Sequence, residues 1–200
     1  EQTKRDLAAE VAAVLAFAAQ RNNDKVGLTL FTERVEKYVA PAKGNRHVLR
    51  LVRDILDHTP DHRGGDFRHA LQHLQKTFRR RAVMVVLSDF LDPLPVSALQ
   101  QARRRHDVIA IQITDLHEEK LPTLGRITIE DAETGEVGEV TLRNEEELSA
   151  FSRQQAHAQE ELEQQLSSIG IDHIRLRTNE SYMPGLSKFF RTRIERQRRT

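Results

Sequence analysis

Three aspartates stand where they could act together. Ser88-Asp89 closes the apolar run Ala82–Leu87, Asp92 follows three residues on, and Asp115 closes a second apolar run, Val108–Ile113, through Thr114. In an open parallel sheet the binding groups gather at the carboxyl ends of the strands, so Asp89, Asp92 and Asp115 are expected at one rim. Grouped carboxylates can exchange protons with a substrate or hold a metal ion that activates water. No nucleophile motif accompanies them. There is no glycine-rich phosphate loop, no Gly-x-Ser-x-Gly and no His-Glu-x-x-His. A fourth carboxylate, Asp66, follows Gly64-Gly65 and reads first as the N-cap of a helix.

His58, His62, His69 and His73 form a second grouping, and the four-residue spacing of His69 and His73 on a helix is able to ligate zinc. The inward positions there are Ala70, Leu71 and Leu74. Both histidines are therefore expected on or near the solvated flank. Arginine-rich stretches at 79–81, 103–105 and 191–199 each follow or end a helix, where cations complement the helix dipole. Few aromatic residues accompany them to stack on bases, so nucleic acid is not an expected partner.

These residues need strands and helices to place them. The unbroken run Ala82–Leu87 predicts a strand buried on both faces. Upstream, Leu7, Val11, Val14, Leu15 and Ala18 mark one face of a helix over 3–22. Val26–Phe31 and the alternating Arg34–Ala40, separated by Thr32-Glu33, predict an antiparallel hairpin, with Pro41–Gly44 as a loop. Helices follow at about 48–58 and 66–78, the second after the turn-rich Thr59–Gly65. Downstream lie a short helix from Val96, the strand Val108–Ile113 and an exposed hairpin at about 126–142. A long polar helix with Gly170 as its stop, the strand Ile171–Thr178 and a helix through Leu186, Phe189, Phe190 and Ile194 complete the order. The expectation is an α/β fold in three layers within one domain, 1–200: a mostly parallel sheet with helices on both faces, an antiparallel edge hairpin and the extra hairpin.

Lys+Arg 31 against Asp+Glu 30 give no case for nucleic acid or a membrane surface. The absence of cysteine removes disulfides, iron–sulfur clusters and thiolate zinc sites and fits a reducing compartment. No apolar run approaches the roughly 20 residues of a membrane span. A soluble, cytoplasmic domain without membrane contact is expected.

The order of several segments resembles a von Willebrand factor A-type domain. They are Asp24-Lys-Val-Gly-Leu-Thr-Leu-Phe31 with the hairpin after it, Gly64-Gly65-Asp66-Phe67 ahead of Ala70-Leu71, and Val85-Val86-Leu87-Ser88-Asp89. Ser88-Asp89-Phe90 and Asp115-x-x-Glu118-x-x-Leu121-Pro122 are similar to the bacterial domain of unknown function 58 family, often encoded beside MoxR-type AAA+ ATPases. The resemblance implies strand order 3-2-1-4-5-6. The chain opens at the helix that normally follows strand 1, so the central strand with its Asp-x-Ser-x-Ser is expected to be missing from this segment. By resemblance Asp89 takes the position of the last carboxylate of a Mg²⁺ site, and Asp66 stands near it. Gly65 replaces the threonine expected after the double glycine, so the metal is implied for a complete domain and not for this chain alone. The function implied is a non-enzymatic protein-interaction domain working with a MoxR-type ATPase. Its docking rim would be Gly64, Gly65, Ser88, Asp89, Asp92, Asp115 and Glu118. The rival expectation is a metal-dependent hydrolase using Asp89, Asp92 and Asp115.

Overall fold

The computed structural model describes residues 2–61, 67–115, 125–130, 137–142 and 145–198. Helix α1 (Lys4–Arg21) starts at a capping box, in which Thr3 Oγ1 accepts from the Asp6 amide and the Asp6 carboxylate accepts from the Thr3 amide. Thr3 Oγ1 also donates to the Asp6 carboxylate at 2.7 Å, and this bond first, then the one from the Thr3 amide, holds the Asp6 carboxyl below its ordinary range. After the turn at Asn23, β1 (Val26–Phe31) and β2 (Val35–Ala42) pair antiparallel, as the short Thr32-Glu33 separation predicts. The second strand runs two residues further than expected, through Pro41. Opposite it stands Gly27, where a Cβ would lie 2.9 Å from Pro41 Cγ, and the register slips between Val26 and Leu28. A glycine thus makes room for a proline that would otherwise end the strand.

Helices α2 (Asn45–Asp57) and α3 (Arg68–Thr77) lead to β3 (Val83–Ser88), α4 (Val96–Arg105) and β4 (Asp107–Thr114). Next come the hairpin β5 (Gly125–Glu130) and β6 (Val137–Leu142), then α5 (Glu145–Ser168), β7 (Asp172–Arg177) and α6 (Tyr182–Arg198). Gly170 ends α5 at φ +71, and its carbonyl accepts from Arg103 Nε at 2.9 Å. Phe67 holds the cap position of α3; Asp66, expected as an N-cap, lies outside the described residues.

The fold is mixed α/β, but the single sheet expected from the sequence is divided. Strands β3, β4 and β7 form a parallel sheet in that order, the β1–β2 hairpin is a separate sheet, and β5–β6 is a third. Along β4, Val108 and Ala110 enter one apolar cluster with Phe67, Leu71, Leu99, Leu162 and Leu166. The alternate residues Ile109, Ile111 and Ile113 enter another with Leu7, Val11, Leu176 and Leu186. Every β4 residue after Asp107 is buried. In β3, by contrast, only Val86 is buried and Val83 is 61% exposed: Met84 and Val86 meet the first cluster and Val85 and Leu87 the second, so both faces are packed, but less completely than those of β4. The reason is pairing: among the described residues β3 has a hydrogen-bonded neighbour on one side only.

Candidate functional site at the carboxyl-end rim

The carboxyl ends of β1 and β3 converge on one ring. Phe67 lies 6.3 Å from Phe31, the last residue of β1, and meets Phe90, just beyond β3, edge-on at 5.9 Å. On the opposite side α1 touches β1, β3 and β4. Among the described residues, β1 and β3 do not pair with each other. Two strand edges therefore lie between α1 and Phe67 without a sheet partner among the described residues.

Ser88 and Asp89 form a tight turn at this rim. Ser88 Oγ accepts from the Phe90 amide at 3.1 Å, and the Asp89 carbonyl accepts from Gln112 Nε2 at 3.3 Å. Phe90 has φ +56, a conformation a bulky side chain rarely adopts. Its ring is locked into the core, 9% exposed, so packing overrides local strain. Asp89 Oδ2 accepts from Lys4 Nζ at 2.9 Å, which brings the first turn of α1 to the rim. Both side chains are part-exposed, so this pair contributes little stability and chiefly fixes position. Asp115 accepts from Thr178 Oγ1 at 2.7 Å and ties the ends of β4 and β7. Asp92, half-buried, makes no hydrogen bond or ion pair with the described residues.

Asp89 and Asp115 thus hold separate protein partners. Among the described residues no three His, Asp or Glu side chains gather as a metal group. Gly64, Gly65, Asp66, His62 and Glu118 lie outside the described residues. The remaining histidines disperse. His69 is exposed; His73 turns inward, its ring edge-on to Tyr38 at 5.3 Å and its Nε2 buried without a hydrogen bond.

His58 belongs to an arrangement that sequence reasoning missed. The Glu36 side chain, 2% exposed, accepts from His58 Nε2 at 2.6 Å, Thr32 Oγ1 at 2.9 Å and the Asp61 amide at 3.1 Å. Thr32 follows Phe31, so this cluster sits at the same rim. Arg5 donates to the carbonyls of Leu56 and His58 from α1. The signal was slight: Glu36 occupies a polar position of an alternating edge strand, where a solvated carboxylate is ordinary.

The opposite end of the sheet is fastened differently. Arg193, 8% exposed, bridges Asp107 and Asp172 at the starts of β4 and β7, and Arg196 joins Asp172. The basic end of α6 therefore clamps the helix to the sheet. Nearby, the His106 ring is 2% exposed, stacks with Phe78, and has no hydrogen bond at either nitrogen. Burial pushes its pKa below the usual histidine value, and Arg105 adds to the shift.

Comparison with known proteins gives relatives without assigned activities. The chain is 28% identical over 197 residues to the uncharacterized protein Rv1480 of Mycobacterium tuberculosis (strain ATCC 25618 / H37Rv), covering 95% of this chain and 61% of the relative. It is 29% identical over 160 residues to the uncharacterized protein MAV169 of Mycobacterium avium, covering 76% of this chain and 92% of that protein. The chain thus spans 61% of the length of the first of these. Its fold is similar to the crystal structure of the conserved hypothetical protein BatB from Bacteroides thetaiotaomicron, with TM-score 0.59, 16% identity, and coverage of 96% of this chain and 88% of that one. The family model described as "Protein of unknown function DUF58" matches residues 1–161, and the chain belongs to that family.

Proposed function

We propose that this chain is a non-enzymatic protein-interaction domain of von Willebrand factor A type, whose sheet is completed by a strand lying between β1 and β3. The observation that carries the reading is the pair of free strand edges held between α1 and Phe67. Lys4 sets the start of α1 at the rim, so a strand leading into α1 and parallel to β3 would end beside Asp89. Partner docking then falls to the rim, at Ser88, Asp89, Asp92 and Asp115 and the loops carrying Gly64-Gly65 and Glu118. The partner class proposed is a MoxR-type AAA+ ATPase, in the cytoplasm.

The described residues do not fit Mg²⁺. That ion requires oxygen ligands in near-octahedral order, whereas Asp89 Oδ2 holds an ammonium and Asp115 a hydroxyl. The test is calorimetric titration of a purified MoxR-type ATPase into the chain and into Asp92→Lys. Saturable binding, weakened roughly tenfold or more by the charge reversal, is the expected result. No heat of binding would overturn the partner. Phosphoester turnover abolished by Asp89→Ala would overturn the non-enzymatic reading in favour of a hydrolase.

A further inference from the structure

Helix α2 carries more apolar surface than the fold covers. On a 3.6-residue wheel Leu51, Ile55, Val48, Val52, Leu56 and Leu49 succeed one another around roughly 160° of the circumference. The inner part of this arc serves the packing of α2 on α1 and β1, with Val48 1% and Leu51 2% exposed. The outer part is left over: Val52 is half-buried, while Leu49 is 52% and Leu56 59% exposed. Single exposed leucines are ordinary on protein surfaces. Leu49, Val52 and Leu56 are different, because steps of three and four residues align them as a seam about 10 Å long, the spacing at which one helix receives another.

Charge narrows what fits. Arg53 and Arg46 stand along the outer border of the seam, both exposed and neither in a hydrogen bond or ion pair with the described residues. Their neighbour Arg50 is engaged with Asp54, as is Lys37, at 3.6 and 2.8 Å. Two uncommitted guanidinium groups beside an apolar seam call for carboxylates. Two copies paired antiparallel through α2 would set one arginine border against the other. A membrane surface suits a wider apolar face with aromatic residues, and this outer face has none.

We infer that the outer face of α2 docks an amphipathic helix of a partner protein, with apolar side chains at seam spacing and Asp or Glu along the border that meets Arg46 and Arg53. This surface shares no residue with the docking rim and stands or falls independently of it.

The test uses the full chain and a fluorescein-labelled, alanine-based helical peptide with leucines at seam spacing and a glutamate border. A twin with a lysine border and vesicles containing anionic lipid serve as comparators. The glutamate peptide is expected to give saturable anisotropy, with affinity roughly tenfold or more above the lysine twin. Leu49→Ser with Leu56→Ser should abolish that binding, and Arg46→Glu with Arg53→Glu should invert the preference. These positions are exposed, and circular dichroism verifies the fold; should the leucine pair unfold, Leu56→Ser alone takes its place. Equal binding of the two peptides, no saturation by the glutamate peptide, binding unchanged by the leucine substitutions, or binding of vesicles alone would each overturn the inference. So would dimerisation in sedimentation that the leucine substitutions abolish.

Discussion

Strands β3 and β4 are neighbours with similar sequences and unlike surroundings. β3 is valine, methionine and leucine up to Ser88, β4 valine, isoleucine and alanine with Gln112 among them, and the two pair in register from Val83↔Asp107 to Ser88↔Gln112. Yet β4 is buried at every residue after its first, and β3 at Val86 alone. The difference comes from the second neighbour: β4 has β7, whereas β3 has none among the described residues. Apolar sequence makes a strand suitable for the interior, but only lateral partners put it there.

The largest effect should come from giving β3 its second neighbour. An apolar strand of about six residues joined upstream of Glu1 should raise the melting temperature by ~10 °C or more, since each fully buried apolar side chain contributes at most about 1.5–3 kcal/mol. Amides of β1 and β3 should gain hydrogen-exchange protection together. An unchanged melting temperature would mean the two edges do not accept a strand.

Deletions in the two existing strands sharpen the contrast. Ile111→Ala, at a fully buried site facing Leu7 and Val11, should cost about 2–5 kcal/mol in denaturant unfolding. Val85→Ala, half-buried in β3, should cost about 1 kcal/mol. Equal costs would contradict the burial difference.

A smaller effect tests the end of the sheet where β4 begins. His106 is held neutral by burial, so its folded pKa lies below the ordinary 6.5. At pH above that value both states are neutral and nothing is lost. As pH falls from 6.5 toward the depressed folded value, the unfolded chain takes up a proton that the folded chain refuses, and stability declines. His106→Phe should flatten the fall in melting temperature between about pH 7 and pH 5. His173, also depressed by burial first, leaves a residual slope. An identical slope in the variant would show that His106 does not carry its share.

Much of this arrangement was legible in the chain because it follows local periodicity. The apolar strand at Val108–Ile113, the β1–β2 hairpin and the stop at Gly170 all express spacing rules that need no knowledge of distant residues. What escaped depends on partners far away in sequence. Pro41 reads as a break until Gly27 is set opposite it, and Asp89 reads as one of a group of carboxylates until Lys4 arrives from 85 residues away. Glu36 looks solvated until Thr32, His58 and Asp61 close over it. Ala82–Leu87 announces an interior strand correctly in composition, yet its exposure is decided by neighbours that the run itself cannot specify.

The tie centred on Glu36 also bears on how the chain folds. It joins the β1–β2 turn to the segment after α2, while Arg5 fastens that segment to α1. Contacts within the first 61 residues therefore close over shorter separations than those between α1 and β3. Short loops cost less entropy to close, so this corner should assemble ahead of the parallel sheet. In pulsed-labelling hydrogen exchange during refolding, amides of β1, β2 and α2 should become protected before those of β4 and β7. Simultaneous protection would make the corner part of a single cooperative step.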